Sequence, residues 1–376
     1  MPRRLRVAFV EPFYGGSHAA FVDGWIARSH HEWQVVSLPA QAWKWRMRLA
    51  GLTLGQRLAR LQPQPDAVVV SGLLDAMHLR QSAGPALQRC AWLIYWHENQ
   101  FDYPRPPGKP LDRGFAVAHL ASLLAADAHA FNSRSHRDAF IAAWRAHGSQ
   151  LPREAQFSAS RGWLRRVSVL PPGVDFEGFP APGNRPVGTP PRVVWNHRWE
   201  EDKRPSAFAH TMSKLARKGH EFRLILLGPV NQVQPQPLIQ LRSELSNQIE
   251  RDQSARTRRE YLQWLTRSDI AVTTAAQENF GYAVIEAMAA GAVPLMPRRL
   301  SYPQLVPASL HTELLYDTDR ELASRLAAWL RQPERIVSLR ARVMRTARRH
   351  DWMHRVAALD AWVEQTVRTV RQTRKD

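Results

Sequence analysis

The chain has 376 residues, of which 44% are hydrophobic, and this length fits two domains of average size better than one. Cys90 is the only cysteine, which excludes an intrachain disulfide and a cysteine metal cluster. The single cysteine also favours a cytoplasmic location by default. The sequence contains no apolar run of about 18 residues, so we expect no membrane span. A net charge of +19 predicts an anionic partner, either nucleic acid or an acidic membrane surface.

The first half alternates short apolar runs with helical patterns such as His18–Arg28 and Arg113–Ala126. This rhythm is typical of a parallel, doubly wound sheet. The predicted strands are Leu5–Val10, Gln34–Leu38, Ala67–Ser71, Ala91–Trp96, Ala128–Phe131 and Val167–Leu170.

A stretch rich in Pro and Gly interrupts the rhythm and predicts a linker at 176–191, between an N-terminal domain (1–175) and a second domain (192–345). The sequence of residues 346–376 predicts one or two basic helices. Two further segments, Gly148–Arg165 and Asn231–Ser254, have no clear pattern and are expected to form loops or helices.

The second domain's predicted strands are Arg192–Asn196, Phe222–Gly228, Ile270–Thr273, Val293–Met296 and Glu313–Tyr316. Its predicted helices are Pro205–Lys218, Thr257–Arg267, Ala283–Ala290 and Arg320–Arg331. Because ligands of open parallel sheets bind beyond the carboxyl ends of the strands, we expect both halves to face one cleft.

Two segments of the first half combine strand ends with polar or small residues. Glu11 to His18 includes Gly15 and Gly16, which permit close approach to a phosphate or sugar, although an ordinary turn is an equal alternative. The pattern is not G-x-G-x-x-G, so it does not support nicotinamide binding. In Tyr95 to Gln100, His97 follows a strand and precedes further hydrogen-bonding side chains, which favours a ligand site over a structural histidine.

Two segments of the second half carry charge. Arg198 and Lys203 lie in the loop after the strand at Arg192–Asn196, where they form either an anion site or a solvated charge cluster. Glu278 and Glu286 flank the start of an Ala-rich helix that ends at Gly291. Carboxylates accept hydrogen bonds from sugar hydroxyls, and the helix N-terminus suits a diphosphate, although two solvated glutamates are the alternative.

Asp317-Thr-Asp319 has the spacing of a metal-binding D-x-D. It directly precedes a helical pattern, however, so these residues are better explained as helix caps. We therefore predict no metal site.

The spacing of Glu278 and Glu286 resembles the Glu-x7-Glu motif of retaining glycosyltransferases with two Rossmann domains (GT-B), in the glycogen-synthase-like family. The resemblance implies that Glu278 contacts the donor sugar, that Glu286 contacts the ribose, and that His97 lies near the reacting carbon. It also implies that Arg198 and Lys203 neutralise the donor diphosphate, and that a C-terminal helix crosses back to the first domain. The expected donor site is completed by Gly15, Gly16, Asn279, Phe280 and Gly281.

A more specific resemblance rests on motifs that occur in order along residues 5 to 305. EPFYGGSH, LPAQAWKWR, WHENQFDYP, FNS, WNHRWEEDKRP and ENFGYAVIEAM are similar to those of the tRNA-queuosine α-mannosyltransferase family. The resemblance implies transfer of mannose from GDP-mannose to queuosine in tRNA(Asp), and the charge of +19 agrees with a tRNA acceptor. It implies no cofactor beyond the nucleotide-sugar and no obligate protein partner. One departure is Leu227-Gly228-Pro229, which lacks the second glycine common in the wider family.

Selection of an anticodon nucleoside requires a pocket for an exposed base, and we expect loops of the first domain to form it. Aromatic members can stack on the base and polar members can hold the diol, although the tryptophans fit ordinary packing equally well. Besides His97, the candidates are Tyr14, His18, Trp43, Trp45, Asn99 and Asn132.

Two alternative functions remain open at this point. A glycosyltransferase of the cell envelope would place its basic face on anionic lipid, but the sequence offers no clear amphipathic membrane helix. A non-catalytic tRNA-binding protein would not need Glu278, Glu286, Arg198 and Lys203 together.

Overall fold

The computed structural model describes residues 4–101, 112–149, 158–180, 188–228 and 235–374. The chain divides into two compact units: Met1–Gly173 with Trp352–Asp376, and Val174–Asp351. Each unit contains one parallel sheet of six strands with flanking helices, which confirms the predicted α/β fold class. The predicted linker 176–191 falls in the second unit, and its residues 181–187 lie outside the described residues. None of the described helices is both long and apolar enough to cross a membrane.

The sheet of the first unit has the strand order β2-β1-β3-β4-β5-β6. Its strands are β1 (Arg6–Tyr14), β2 (Glu32–Pro39), β3 (Ala67–Ser71), β4 (Ala91–Trp96), β5 (Ala128–Phe131) and β6 (Val167–Val169). The helices that precede the second unit are α1 (Gly16–Ile26), α2 (Trp43–Ala59), α3 (Ala76–Ser82), α4 (Arg113–Ala125) and α5 (Arg134–Ser149). Every residue of β3 and β4 is buried, as expected of strands covered on both faces.

The second unit has the strand order β12-β11-β10-β7-β8-β9. Its strands are β7 (Arg192–Trp195), β8 (Arg223–Leu226), β9 (Ile249–Asp252), β10 (Ile270–Val272), β11 (Val293–Pro297) and β12 (Leu315–Tyr316). Its helices are α6 (Pro205–Arg217), α7 (Gln236–Glu244), α8 (Arg258–Arg267), α9 (Tyr282–Ala289), α10 (Tyr302–Leu305), α11 (His311–Leu314), α12 (Asp319–Arg331) and α13 (Pro333–Arg348). The strand order reverses between β7 and β10, and ligands of such sheets bind beyond the carboxyl ends of the strands at that point.

The last helix, α14 (Val356–Thr373), belongs to the first unit although it follows the second in sequence. Asp360 on α14 accepts hydrogen bonds from Trp25 Nε1 at 2.8 Å and Ser29 Oγ at 2.8 Å. Trp352, just before α14, lies so close to Gly24 that an added Cβ there would be 2.1 Å from the indole nitrogen. Both ends of the chain therefore build the core of the first unit.

Four predictions of secondary structure were wrong in part. Strand β1 was predicted to end at Val10 but continues to Tyr14, with a shift in its pairing register after Glu11. In this irregular part, the Phe13 N–H donates to the Glu11 side chain at 2.8 Å. Strand β9 was not predicted, since its sequence IERD is that of a charged edge strand and not an apolar run. Glu313 lies in α11 and not in a strand. Among the acceptor candidates expected on loops, Trp43 and Trp45 lie on helix α2 and Tyr14 is the last residue of β1; His18 lies on α1, within the helix predicted from His18 onward.

Candidate active site

The loop after β7 places Arg198 and Lys203 around a shared carboxylate. Arg198 is half-exposed and lies 3.0 Å from Glu200 and 3.4 Å from Asp202. A short 3₁₀ turn, Glu201–Lys203, directs the Lys203 side chain inward. Its ammonium donates to the Gln277 carbonyl at 2.7 Å and lies 3.2 Å from Asp202 Oδ2 and 3.4 Å from Glu278 Oε2. The structure thus brings three of the predicted residues, Arg198, Lys203 and Glu278, into one network.

The electrostatics of this network keep Lys203 and Glu278 ionised. Burial lowers the pKa of Lys203, but Glu278 and then Asp202 outweigh burial and leave that pKa above its ordinary value. Burial raises the pKa of Glu278, but the Lys203 ammonium and His197 outweigh it and leave that pKa below its ordinary value. Burial, followed by the nearby Lys203 charge, lowers the pKa of His197 to about 3, so His197 is neutral. An ammonium and a carboxylate therefore stand side by side at the strand-order reversal.

Glu286 belongs to a second network that starts from the same loop. Its Oε2 accepts a hydrogen bond from the Tyr261 hydroxyl at 2.9 Å, and its Oε1 lies 2.7 Å from Arg258. Asn196 donates to the Tyr261 oxygen at 3.0 Å and to the Ala283 carbonyl at 2.8 Å. Since a carboxylate has about four lone-pair sites, Glu286 can still accept from a diol while Tyr261 and Arg258 hold it in place.

The segment between the two glutamates is held by its backbone conformation and by packing. Gly281 caps α9 with a φ of 111°, a left-handed conformation that favours glycine. The Phe280 ring is buried and packs against Tyr282 and His350, while its N–H donates to Glu278 Oε1 at 3.3 Å. Asn279 Oδ1 accepts from Gln277 Nε2 at 3.2 Å. Phe280 therefore has a packing role in the structure, and direct contact of its ring with a donor stays a prediction.

In the first unit, Glu11 of β1, His18 of α1 and His97, just after β4, form one cluster in which Glu11 and His18 are buried and His97 is partly buried. His18 Nδ1 lies 3.1 Å from Glu11 Oε2 and 3.4 Å from Ser71 Oγ, and the rings of His18 and His97 are 4.4 Å apart. Burial disfavours a charged His18, but Glu11 and Glu98 outweigh burial and raise its pKa. Burial, then His18 and His136, lower the pKa of His97 well below its ordinary value. The cluster thus pairs a readily protonated imidazole with a neutral one.

Two of the predicted acceptor residues use their side chains to fix the chain near His97. Asn132 Nδ2 donates to the His97 carbonyl at 3.2 Å, and its Oδ1 lies 2.8 Å from His136 Nδ1. Asn99 is buried and accepts from the Phe101 N–H at 3.0 Å. These contacts give both asparagines a positioning role.

Most of the remaining predicted residues of the first unit have a local contact or backbone conformation that explains their identity. The Tyr14 hydroxyl donates to Asp23, and this bond, with burial, raises the pKa of Tyr14 to about 12. On α2, Trp43 is 38% exposed and packs on Phe115, whereas Trp45 is 63% exposed, so packing does not explain Trp45. Gly15 is needed because an added Cβ would lie 2.5 Å from the Ala40 Cβ. Gly16, the first residue of α1, has a φ of 54°, which favours glycine, although an added Cβ would meet no atom within 4 Å.

The D-x-D segment is a helix start, as predicted. Thr318 caps α12 by accepting from the Glu321 N–H at 3.1 Å, and Asp319 pairs with Arg204 at 2.6 Å. A different group offers metal-ligand atoms: those of Glu11, His18 and His97 lie within 4.8 Å of one another.

Sequence reasoning missed the residues that orient the predicted ones. Asn196 and Asp202 stand inside the motif WNHRWEEDKRP, so their polar character near Arg198 was a usable signal. Tyr261 and Arg258 lie on α8, 25 and 28 positions before Glu286, in a charged helix with no such signal.

Comparison with known proteins gives two family matches that follow the two halves of the chain. Residues 6–174 match the family described as tRNA-queuosine alpha-mannosyltransferase N-terminal, and residues 182–350 match glycosyl transferases group 1. The chain is 30% identical over 339 residues to tRNA-queuosine alpha-mannosyltransferase of Drosophila melanogaster, covering 87% of each protein.

Solved structures with a similar fold have low sequence identity to this chain. HepE from Anabaena, solved with UDP and glucose, superposes with a TM-score of 0.65 at 15% identity over 97% of this chain and all of HepE. Sucrose-phosphate synthase from Thermosynechococcus elongatus gives a TM-score of 0.67 at 15% identity over 98% and 99% of the two chains. These likenesses show the GT-B fold, as predicted.

Proposed function

The chain belongs to the tRNA-queuosine alpha-mannosyltransferase family, and we propose that it transfers mannose from GDP-mannose to queuosine at the anticodon of tRNA(Asp). The observation that carries this proposal is the similarity to the Drosophila enzyme over 87% of the chain. That the chain is a glycosyltransferase is shown by its family; the donor, the acceptor and a cytoplasmic site of action are our inference.

The two networks of the second unit support a chemical role for each of the predicted residues in them. Arg198 and Lys203 would face the diphosphate, whose charge grows as the glycosidic bond breaks, and fixed cations stabilise that charge without reorganisation. The ionised Glu278 would accept a hydrogen bond from a mannose hydroxyl. Glu286, held by Tyr261 and Arg258, would accept from the ribose diol.

The reaction retains configuration without a covalent sugar-enzyme intermediate in this proposal. The bond from the anomeric carbon to the diphosphate oxygen breaks, and a bond to the acceptor hydroxyl oxygen forms on the same face. The acceptor proton passes to the departing phosphate oxygen, which leaves as GDP. His97, whose pKa lies well below its ordinary value, stays neutral and can donate or accept a hydrogen bond near the sugar.

The decisive assay compares tRNA(Asp) carrying queuosine with the same tRNA carrying guanosine, using GDP-mannose and, as controls, UDP-glucose and UDP-galactose. We expect sugar transfer only to the queuosine form and only from GDP-mannose, measured by mass spectrometry of tRNA nucleosides. Transfer from another donor would change the sugar assignment alone. Failure to modify either tRNA, combined with transfer to a lipid or glycan acceptor, would favour an envelope glycosyltransferase instead.

A chelator is expected to leave the transfer rate largely intact, because Arg198 and Lys203 supply the positive charge that a metal ion supplies in other glycosyltransferases. The measurement is the rate with EDTA, before and after addition of Mg²⁺, Mn²⁺ or Zn²⁺. Complete loss in EDTA that a metal restores would contradict this expectation. In that case His18→Gln and Asp319→Asn should be compared, since one disrupts the Glu11, His18 and His97 cluster and the other the D-x-D segment.

A further inference from the structure

The second unit contains a concave surface whose charged lining is entirely cationic. Its volume is about 1060 Å³, and it lies between the end of α6 and one face of α12. We call it the basic groove and define it by Lys214, Lys218, Arg320 and Arg331. His220 and small residues such as Ala323 complete the lining, which contains no carboxylate.

The four cations of the basic groove are exposed and form no ion pair with a carboxylate of the described residues. Other arginines of this unit are neutralised: Arg192 pairs with Glu250 at 2.8 Å, and Arg251 pairs with Glu260 at 2.6 Å. Burial, then Arg331 and Lys218, lower the pKa of His220, which reflects the positive potential around it. Like charges gathered without counter-charges repel one another, so their arrangement suits an anion that comes from outside.

The shape of the basic groove suits an extended anion better than a compact one. Arg320, Ala323, Ser324, Ala327 and Arg331 recur at helical spacing, so one face of α12 forms its floor. At about 1.5 Å per residue, Arg320 and Arg331 are about 16 Å apart along the axis, with small side chains between them. A polynucleotide strand can lie on such a floor with phosphates near both ends.

The basic groove also leads away from the candidate donor site. Helix α6 begins two residues after Lys203, and Lys218 lies at its other end, about 20 Å further along the axis. Arg320, at one end of the groove, follows Asp319, which pairs with Arg204 at 2.6 Å, so a chain bound in the groove would run from the neighbourhood of Lys203 towards Lys218. Contacts of this kind position a nucleic acid without reading its sequence.

We propose that the basic groove binds the sugar-phosphate backbone of the acceptor tRNA outside the modified nucleoside. This inference rests on the proposed function, because it takes tRNA as the acceptor. It adds a binding surface on the second unit, whereas the residues predicted for acceptor recognition all lie in the first.

The test replaces two groove cations, Lys218→Gln with Arg331→Gln, and compares tRNA binding over a salt series. The matched control is Arg259→Gln with Arg345→Gln, which removes the same charge from exposed positions on α8 and α13. We expect the groove variant to bind tRNA about tenfold more weakly or worse at ~0.15 M salt, because two phosphate contacts are lost. The slope of log K against log salt should become shallower by about 2. The control should stay within about twofold of wild type, and the KM for GDP-mannose should not change in either variant.

Three outcomes would overturn the proposal. The first is a groove variant with wild-type affinity and slope while the wild-type enzyme modifies queuosine-tRNA normally; this leaves the proposed function intact. The second is an equal loss in the control, which would assign the effect to net charge. The third is unchanged tRNA binding with loss of binding to vesicles that contain an anionic phospholipid, which would assign the groove to a membrane surface. A wild-type enzyme that binds tRNA with the predicted slopes but transfers no sugar would instead contradict the proposed function alone.

Discussion

Replacement of Lys203 by alanine is expected to lower turnover by about 10²-fold or more, and Arg198→Ala should have an effect of the same order. Both cations are proposed to stabilise charge that grows on the leaving diphosphate, so their loss should raise the barrier of the chemical step. The measurement is the kcat of sugar transfer at saturating donor and tRNA. The release of GDP from GDP-mannose without acceptor gives a second readout that does not depend on the acceptor.

The two variants should differ in stability, which separates structural damage from lost chemistry. Lys203 is buried, and its removal leaves Glu278 without its cationic partner and Asp202 with Arg198 alone; breaking a buried pair in this way costs about 3–5 kcal/mol. Arg198 is half-exposed, so Arg198→Ala should unfold at nearly the wild-type temperature. Arg217→Ala, at the exposed end of α6, serves as the control for loss of one positive charge. Wild-type turnover in both Arg198→Ala and Lys203→Ala would refute the diphosphate assignment.

Glu278→Gln and Glu286→Gln are expected to differ in which kinetic constant they change. Glu278 is proposed to bind the donor sugar where charge develops, so Glu278→Gln should chiefly lower kcat, by about 10²-fold. Glu286 is proposed to bind the ribose, which does not react, so Glu286→Gln should chiefly raise the KM for the donor. The check is a full steady-state analysis with varied GDP-mannose for both variants.

The hydrogen bond between Tyr261 and Glu286 supplies a control for this comparison. Tyr261→Phe removes the bond to Glu286 Oε2 and leaves the carboxylate, so it should reproduce a weaker form of the Glu286→Gln effect. The same change should leave kcat close to wild type. If both glutamate variants altered kcat and KM in equal measure, the division of roles would be wrong.

The sequence predicts well those parts of the fold that depend on local patterns. Strands such as β3 and β11 are continuous apolar runs, and helix starts such as Thr257 and Thr318 have side chains that accept from the first turn. The charged loops were also predictable as sites, because Arg198 and Lys203 directly follow a buried strand. These features lie within a few residues of one another, so their pattern is visible without the fold.

The remaining features depend on contacts that are distant in sequence. Lys203 meets Glu278 across 75 positions, and Tyr261 meets Glu286 across 25, so their pairing follows from the strand order and not from a motif. Strand β9 has a charged sequence without an apolar pattern, so only its pairing with β8 identifies it as a strand. Its charged side chains form ion pairs with residues of neighbouring elements, namely Arg192, Arg242 and Glu260. Trp43 and Trp45 lie at the start of α2, which follows Ala42 in the left-handed backbone conformation. The sequence around Ala42 contains no residue that favours this conformation, so the helix start could not be predicted.

The return of α14 to the first unit has a consequence for synthesis of the chain on the ribosome. When Gly173 has been made, the first unit still lacks Trp352 and the apolar face of α14, which includes Leu359, Val363 and Val367. At that point Trp25 Nε1 lacks its acceptor Asp360, and the Trp352 ring is not yet present to pack against Gly24. The second unit, by contrast, is continuous in sequence and can complete its core as soon as Asp351 has emerged. The half of the protein that is translated first is therefore the half that finishes folding last.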